Sequence, residues 1–217
     1  MIISHKKNFI FIHIYKTGGT TVTKPLLPHA RFVEKFSTFW STRYFISLIN
    51  KVFNLGDYGN RWINGVHKHA KATEIRDYLG KNTYKKYFKF SIVRNPYDLQ
   101  VSLYHYIKQT KGHRDYEIAN ELSFKQFVYR EMDNNAPIQY DFLSNEDDEL
   151  IVDYIGKTEK LQKSFDEICG KIDIRPIDLG RKNKSNRDSN YMKYYDEELK
   201  KDVYNYFKKD FEAFNYS

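Results

Sequence analysis

Apolar positions along this chain follow two periods that alternate. Phe9 to Ile14 is an unbroken aromatic and β-branched run, the pattern of a strand buried on both faces of a sheet. Tyr87 to Val93 repeats that pattern, and Leu150 to Ile155 is a third strand candidate. Elsewhere the period becomes helical. Leu99, Leu103 and Ile107 recur along one face, and Leu199, Val203, Tyr206, Phe207 and Phe211 line one side of a final helix that Asp196 can cap. Thr73 to Leu79, Ser123 to Glu131, the stretch after Ile138 and Lys160 to Lys171 also read as helical, with a polar turn from Asp133 to Pro137. Thr20 should open a helix that Pro25 shortens or kinks, because proline removes a ladder hydrogen bond. Arg31 to Trp62 shows no clear period and reads as short helices or an insertion of the kind that shapes a substrate site. Strands alternating with helices imply an α/β fold whose parallel sheet is covered by helices on both faces, with ligands bound beyond the carboxyl ends of its strands.

Two of those strand ends carry candidate chemistry. In FIFIHIYKTGGTT the first strand breaks into Lys16, Thr17, Gly18, Gly19, Thr20 and Thr21, where a helix should begin. Glycines let the backbone approach a ligand, the hydroxyls and the N–H groups of a helix start donate to an anion, and the lysine adds a full charge. The order differs from the ATPase loop GxxxxGK[ST], in which the lysine follows the glycines and the next hydroxyl holds magnesium. An ordinary strand-turn-helix connection with a surface lysine fits the same residues. At the second junction Arg94 ends a strand, and Asn95, Pro96 and Asp98 are an N-cap, a first-turn proline and a first-turn acid. Arg94 has the forked donors suited to phosphate, and Ser102 lies two turns into the helix on the side of Asp98. A salt bridge for Arg94 and a plain helix-surface position for Ser102 are the competing readings.

Composition narrows the class without naming a ligand. A chain of 217 residues suits one domain, 1–217, with a core large enough to need neither disulfide nor metal. The single cysteine, Cys169, cannot form an intrachain disulfide and reads as a small buried side chain. No apolar run reaches the length of a membrane span or has the form of a signal peptide, so a cytoplasmic protein is expected. With 36 Lys and Arg against 28 Asp and Glu, the net charge of +8 favours anionic partners. The many aromatics read as core more readily than as a stacking surface, and no nucleic-acid-reading motif is present.

Histidine supplies the candidate base. His67 and His69 lie just before a helix in GVHKHAKATEI, and imidazole titrates near neutral pH. A metal pair is disfavoured by the lack of a CxxC or a third well-spaced ligand. His13, inside the first strand, reads as structural, and spacing leaves the role of His105 open.

Taken together, YKTGGTT resembles the 5'-phosphosulfate loop, and VRNPYDLQVSLYHY the 3'-phosphate motif, of sulfotransferases that use 3'-phosphoadenosine 5'-phosphosulfate (PAPS). The resemblance takes in IVDYIGKTEKL, NKSNRDSNYMKYYDEE and the closing KKDFEAFNYS, and points to the carbohydrate branch that includes heparan sulfate 2-O-sulfotransferase, in its short bacterial form. It implies a P-loop-like three-layer α/β fold, PAPS as donor without a required metal, and a hydroxyl acceptor on a saccharide. Carried over, Lys16 with Thr17, Gly18, Gly19, Thr20 and Thr21 would hold the 5'-phosphosulfate, and Arg94 and Ser102 the 3'-phosphate. The basic loop with Lys182, Lys184, Ser185 and Arg187 would close over the nucleotide. His69 would be the base, His67 would assist, and Lys16 would also stabilise the leaving phosphate. Tyr15 stands where the family usually has proline, a change expected to alter loop stiffness. Two other classes compete: a P-loop kinase or NTPase using the same loop, and a non-enzymatic polyanion-binding module.

Overall fold

β2 (Phe9–Ile12) and β3 (Phe88–Val93) run parallel, with Phe11 beside Phe90 and Ile12 beside Ser91. Every residue of β2 is buried, as a strand covered on both faces requires. Among the described residues, β1 (Ile2–Ser4), β2, β3 and β4 (Tyr154–Lys157) form one mostly parallel sheet in that order. The computed structural model describes residues 1–30, 68–180 and 190–217. The expectations for Arg31 to Trp62, for His67 and for Lys182, Lys184, Ser185 and Arg187 lie outside the described residues.

β1 pairs antiparallel with β2, a departure from the all-parallel expectation. The few residues between Ser4 and Phe9 can only turn the chain back, since a parallel crossover needs a dozen or more.

The chain packs as two compact units, which divide within β3: Met1–Ile92 with Asp141–Leu179, and Val93–Tyr140 with Gly180–Ser217. In the first, the sheet is covered by α1 (Gly19–Leu26) and α7 (Leu161–Lys171), whose Val22, Leu26, Phe165 and Ile168 pack with Phe11 and Phe90. α1 contains Pro25 near its end and passes into a 3-10 turn, Leu27–His29, as the proline predicts. α2 (Ala72–Leu79) and α3 (Lys81–Lys86) follow, divided by Gly80 in the left-handed region. Cys169 is buried on α7.

The second unit centres on α4 (Pro96–Gln109), whose Asn95 cap accepts from the Tyr97 amide and whose first residue is proline. α5 (Tyr116–Glu121) leads to α6 (Phe124–Asp133), which opens on a capping box between Ser123 and Gln126. α8 (Glu197–Tyr206) is capped by Asp196, and α9 (Lys208–Ala213) follows. Val101, Phe127, Val203 and Phe207 form part of one core cluster there.

Three expectations shift. The third strand begins only at Tyr154, because Leu150 instead bridges to Ser144 and Ile151 donates to the Leu143 carbonyl. The stretch after Ile138 makes a 3-10 turn, Tyr140–Phe142, and no α-helix; the Gln139 and Tyr140 amides donate to the Asp210 carboxylate in place of a helical ladder. The final helix is broken at Phe207, after which the neighbouring Asp210 and Phe211 are both buried. No helix among the described residues is long and apolar enough to cross a membrane.

β4 lies against α7 at Gly156, where an added Cβ would stand 2.7 Å from both Ile92 Cδ1 and Ser164 Cβ. Gly156→Ala should therefore lower unfolding free energy by about 1–3 kcal/mol through overpacking, read as a shift in the urea midpoint with the slope unchanged.

Candidate functional site

The loop after β2 is built from left-handed residues. Lys16 has φ 61° and Gly18 φ 79°, and Gly18 is the N-cap of α1. A lysine held in that region costs about 1–2 kcal/mol, so the surrounding contacts must hold it there. They do so through Thr17, which is fully buried between the two: its hydroxyl donates to the Ile14 carbonyl at 2.8 Å, and its own carbonyl accepts from the Thr158 hydroxyl at 2.8 Å. The Thr21 and Val22 amides reach the Gly18 carbonyl at 2.9 and 3.3 Å. The first-turn amides of Gly19 and Thr20 precede any such ladder partner, which makes them anion donors by position. Thr20 is exposed, Thr21 and Lys16 are half-buried, and Thr17 serves the loop through its backbone and its internal bond.

Gly19 is required by what lies beside it. A Cβ there would come within 2.0 Å of His13 Cδ2 and 2.1 Å of its Nε2. His13 is buried, its Nδ1 has no hydrogen-bond partner among the described residues, and burial pushes its imidazole down to about 2, so it is neutral.

The His13 carbonyl lies 2.8 Å from His69 Nδ1. A carbonyl only accepts, so Nδ1 carries the hydrogen, and in the neutral imidazole Nε2 carries the lone pair. That is the tautomer a general base needs. The His69 ring lies 4.8 Å from the His13 ring and edge-on to Tyr15 at 6.0 Å. Tyr15 in turn meets Phe142 edge-on at 6.1 Å. The Tyr15 ring therefore packs between His69 and Phe142, a contact beyond the change in loop stiffness expected of it.

At the second junction Arg94 makes the salt bridge that competed with its phosphate reading. Its Nε and Nη2 both donate to Asp98 Oδ2 at 2.7 Å, and both side chains are largely buried. Ser102, also buried, lies one turn beyond Asp98, so Arg94, Asp98 and Ser102 form a row at helical spacing. The Arg94 peptide is held separately: its N–H donates to Gln139 Oε1 at 2.9 Å, and its carbonyl accepts from Gln139 Nε2 at 2.8 Å. His105 is half-buried, with Nε2 2.9 Å from the Tyr194 hydroxyl, which gives it a packing partner on that helix.

Lys16, Gly18, Gly19, Thr17 and His69 thus fall into one local structure, and Arg94 and Ser102 into another. The supporting residues Asp98, Gln139 and Asp210 were not singled out from sequence as part of the site. The spacing of Arg94 and Asp98 carried a signal for the first, whereas nothing local relates Gln139 to Asp210 in a distant helix.

The sulfotransferase family matches residues 1–217, and the chain belongs to that family. It is 32% identical over 125 residues to an uncharacterized protein of Archaeoglobus fulgidus, a match covering 56% of this chain and 97% of that protein. No solved structure matches the chain. Membership makes the protein a transferase for sulfonate groups, with a hydroxyl-bearing acceptor, and the mostly parallel sheet flanked by helices agrees with the P-loop-like fold of the family.

Gly19→Ala should displace the loop or the His13 ring and reduce turnover by roughly a hundredfold, the scale of a misplacement of about 1 Å, as measured in steady-state assays. His13 also predicts acid sensitivity. The unfolded chain protonates this imidazole below pH 6.5, while the folded protein resists until pH approaches about 2. Its contribution is therefore complete above pH 6.5 and is lost as pH falls, by about 2 kcal/mol at pH 5. Urea unfolding should show that slope in the wild type and a flatter one in His13→Asn.

Proposed function

We propose that the protein transfers a sulfonate group from PAPS to a hydroxyl on a carbohydrate, with His69 as base and Lys16 as the group that meets charge on the leaving phosphate. The observation that carries this reading is the hydrogen bond from His69 Nδ1 to the carbonyl of His13, whose own ring fills the space beside Gly19 of the Lys16 loop; with Nδ1 donating, Nε2 is the proton acceptor.

In the proposed reaction His69 Nε2 takes the proton of the acceptor hydroxyl as its oxygen forms a bond to sulfur. The bond from sulfur to the 5'-phosphate oxygen breaks in line. Lys16, with the amides of Gly19 and Thr20, meets the negative charge that develops on that phosphate, the electrostatic assistance that weighs most in such transfers. Arg94 and Ser102 hold the 3'-phosphate. The loop follows β2 in the chain and Arg94 follows β3, and two anion-ready strand ends support a donor with phosphate at two ends. In this reading no metal is required, the whole chain serves as one catalytic domain in the cytoplasm, His67 assists the base, and Lys182, Lys184 and Arg187 close over the nucleotide.

Transfer of labelled sulfate from PAPS to a panel of saccharides tests this. His69→Ala should lower kcat on the order of a hundred- to ten-thousand-fold with donor affinity little changed, whereas Lys16→Ala should lower both. Wild-type rates in both variants would overturn the assigned roles. Stabilisation by ATP with magnesium, and none by adenosine 3',5'-bisphosphate, would point instead to a kinase or NTPase.

A further inference from the structure

Among the described residues of the second unit, the most completely buried carboxylate has no part in the reaction as described. Asp210 on α9 has 0% exposure, yet it accepts from the Gln139 amide at 3.0 Å, from Gln139 Nε2 at 3.2 Å and from the Tyr140 amide at 2.7 Å. Burying a charge is costly, and an apolar side chain of similar volume would often serve stability as well. What an apolar side chain could not do is orient an amide.

Gln139 is that amide, and it is 1% exposed. Past the end of β3 the Arg94 peptide has left the sheet ladder, and Gln139 supplies both missing partners: Oε1 for the N–H and Nε2 for the carbonyl. The two bonds reproduce a rung of a β-ladder with a side chain in place of a strand. Nε2 faces two acceptors, the Arg94 carbonyl and Asp210 Oδ2, so the alternative flip of the amide would oppose acceptor to acceptor at both and is excluded. Asp210 fixes the plane of Gln139, and Gln139 fixes the peptide from which the Arg94 side chain departs. At the far end of that side chain Asp98 holds the guanidinium.

We infer that Asp210 and Gln139 are positioning residues for Arg94, and that this relay sets how strongly the protein recognises a 3'-phosphate. The inference rests on the proposed role of Arg94. A small rotation of its peptide is magnified along a long side chain, so loosening the relay should cost 3'-phosphate recognition while leaving the 5' end of the nucleotide held as before.

The measurement is the ratio of affinities for adenosine 3',5'-bisphosphate and adenosine 5'-monophosphate, taken by calorimetry on the full chain. Arg94→Ala should lower that ratio. Gln139→Met and Asp210→Asn should each lower it roughly tenfold or more, equivalent to about 1.4 kcal/mol, with affinity for the monophosphate within about twofold of wild type as proof that the fold and the 5' site are intact. In an Arg94→Ala background, Gln139→Met should have no further effect, since it acts only through Arg94. Gln139→Met leaves Asp210 in place and carries the test if Asp210→Asn does not fold. A ratio unchanged in Gln139→Met, or an equal loss of both ligands, overturns the relay while leaving the assignment of Arg94 standing. A ratio that Arg94→Ala itself leaves unchanged overturns that assignment, and the relay with it.

Discussion

The parallel pairing of β2 with β3 is the constraint on which the rest of the molecule depends. Stacked Phe11 and Phe90, with ring centroids 5.4 Å apart, lock neighbouring strands into one register. A slip by one residue would turn one strand's side chains to the opposite faces relative to its neighbour, so burial on both sides makes that register costly to leave. Fixed register means fixed strand ends, and just past the end of β2 the chain places a lysine with two glycines.

Local polar contacts then convert position into orientation. His13 serves two neighbours in three ways: its ring fills the space at Gly19, its carbonyl sets the tautomer of His69, and its ring packs at a tilt against that of His69. Thr17 and Thr158 hold the loop backbone, and Asp98 and Gln139 hold the two ends of Arg94. Each is a short-range bond in a largely buried setting, where competition from water is weak and geometry is well defined.

How much of this could be read from the chain alone depended on the range of the interaction. A helix start with its signals in adjacent residues, Asn95-Pro96, lies where the sequence places it, and the helical stretch read from Ser123 begins there. The core strand Tyr87 to Val93 is recovered almost to the residue. What escaped were choices made by distant partners. Leu150 to Val152 has strand composition but is taken by the Leu143 and Ser144 segment, and the turn after Ile138 is set by a carboxylate far along the chain. The same holds at the site. Lys16 and the glycines announce themselves, whereas the service of His13 to His69 passes through a backbone carbonyl, which no side-chain pattern encodes. The antiparallel β1 was missed for a different reason, being too short to display a period.

The contact between His13 and Gly19 has a consequence for how the chain can change over generations. The two positions share a single volume, which the imidazole now occupies and the glycine leaves open. A methyl group gained at one must be answered by atoms lost at the other, and neither change is tolerable first unless the loop gives way. Positions 13 and 19 are therefore bound to drift together or not at all, and since the carbonyl of one bonds His69 while the other begins the helix, the glycine loop and His69 inherit that shared fate.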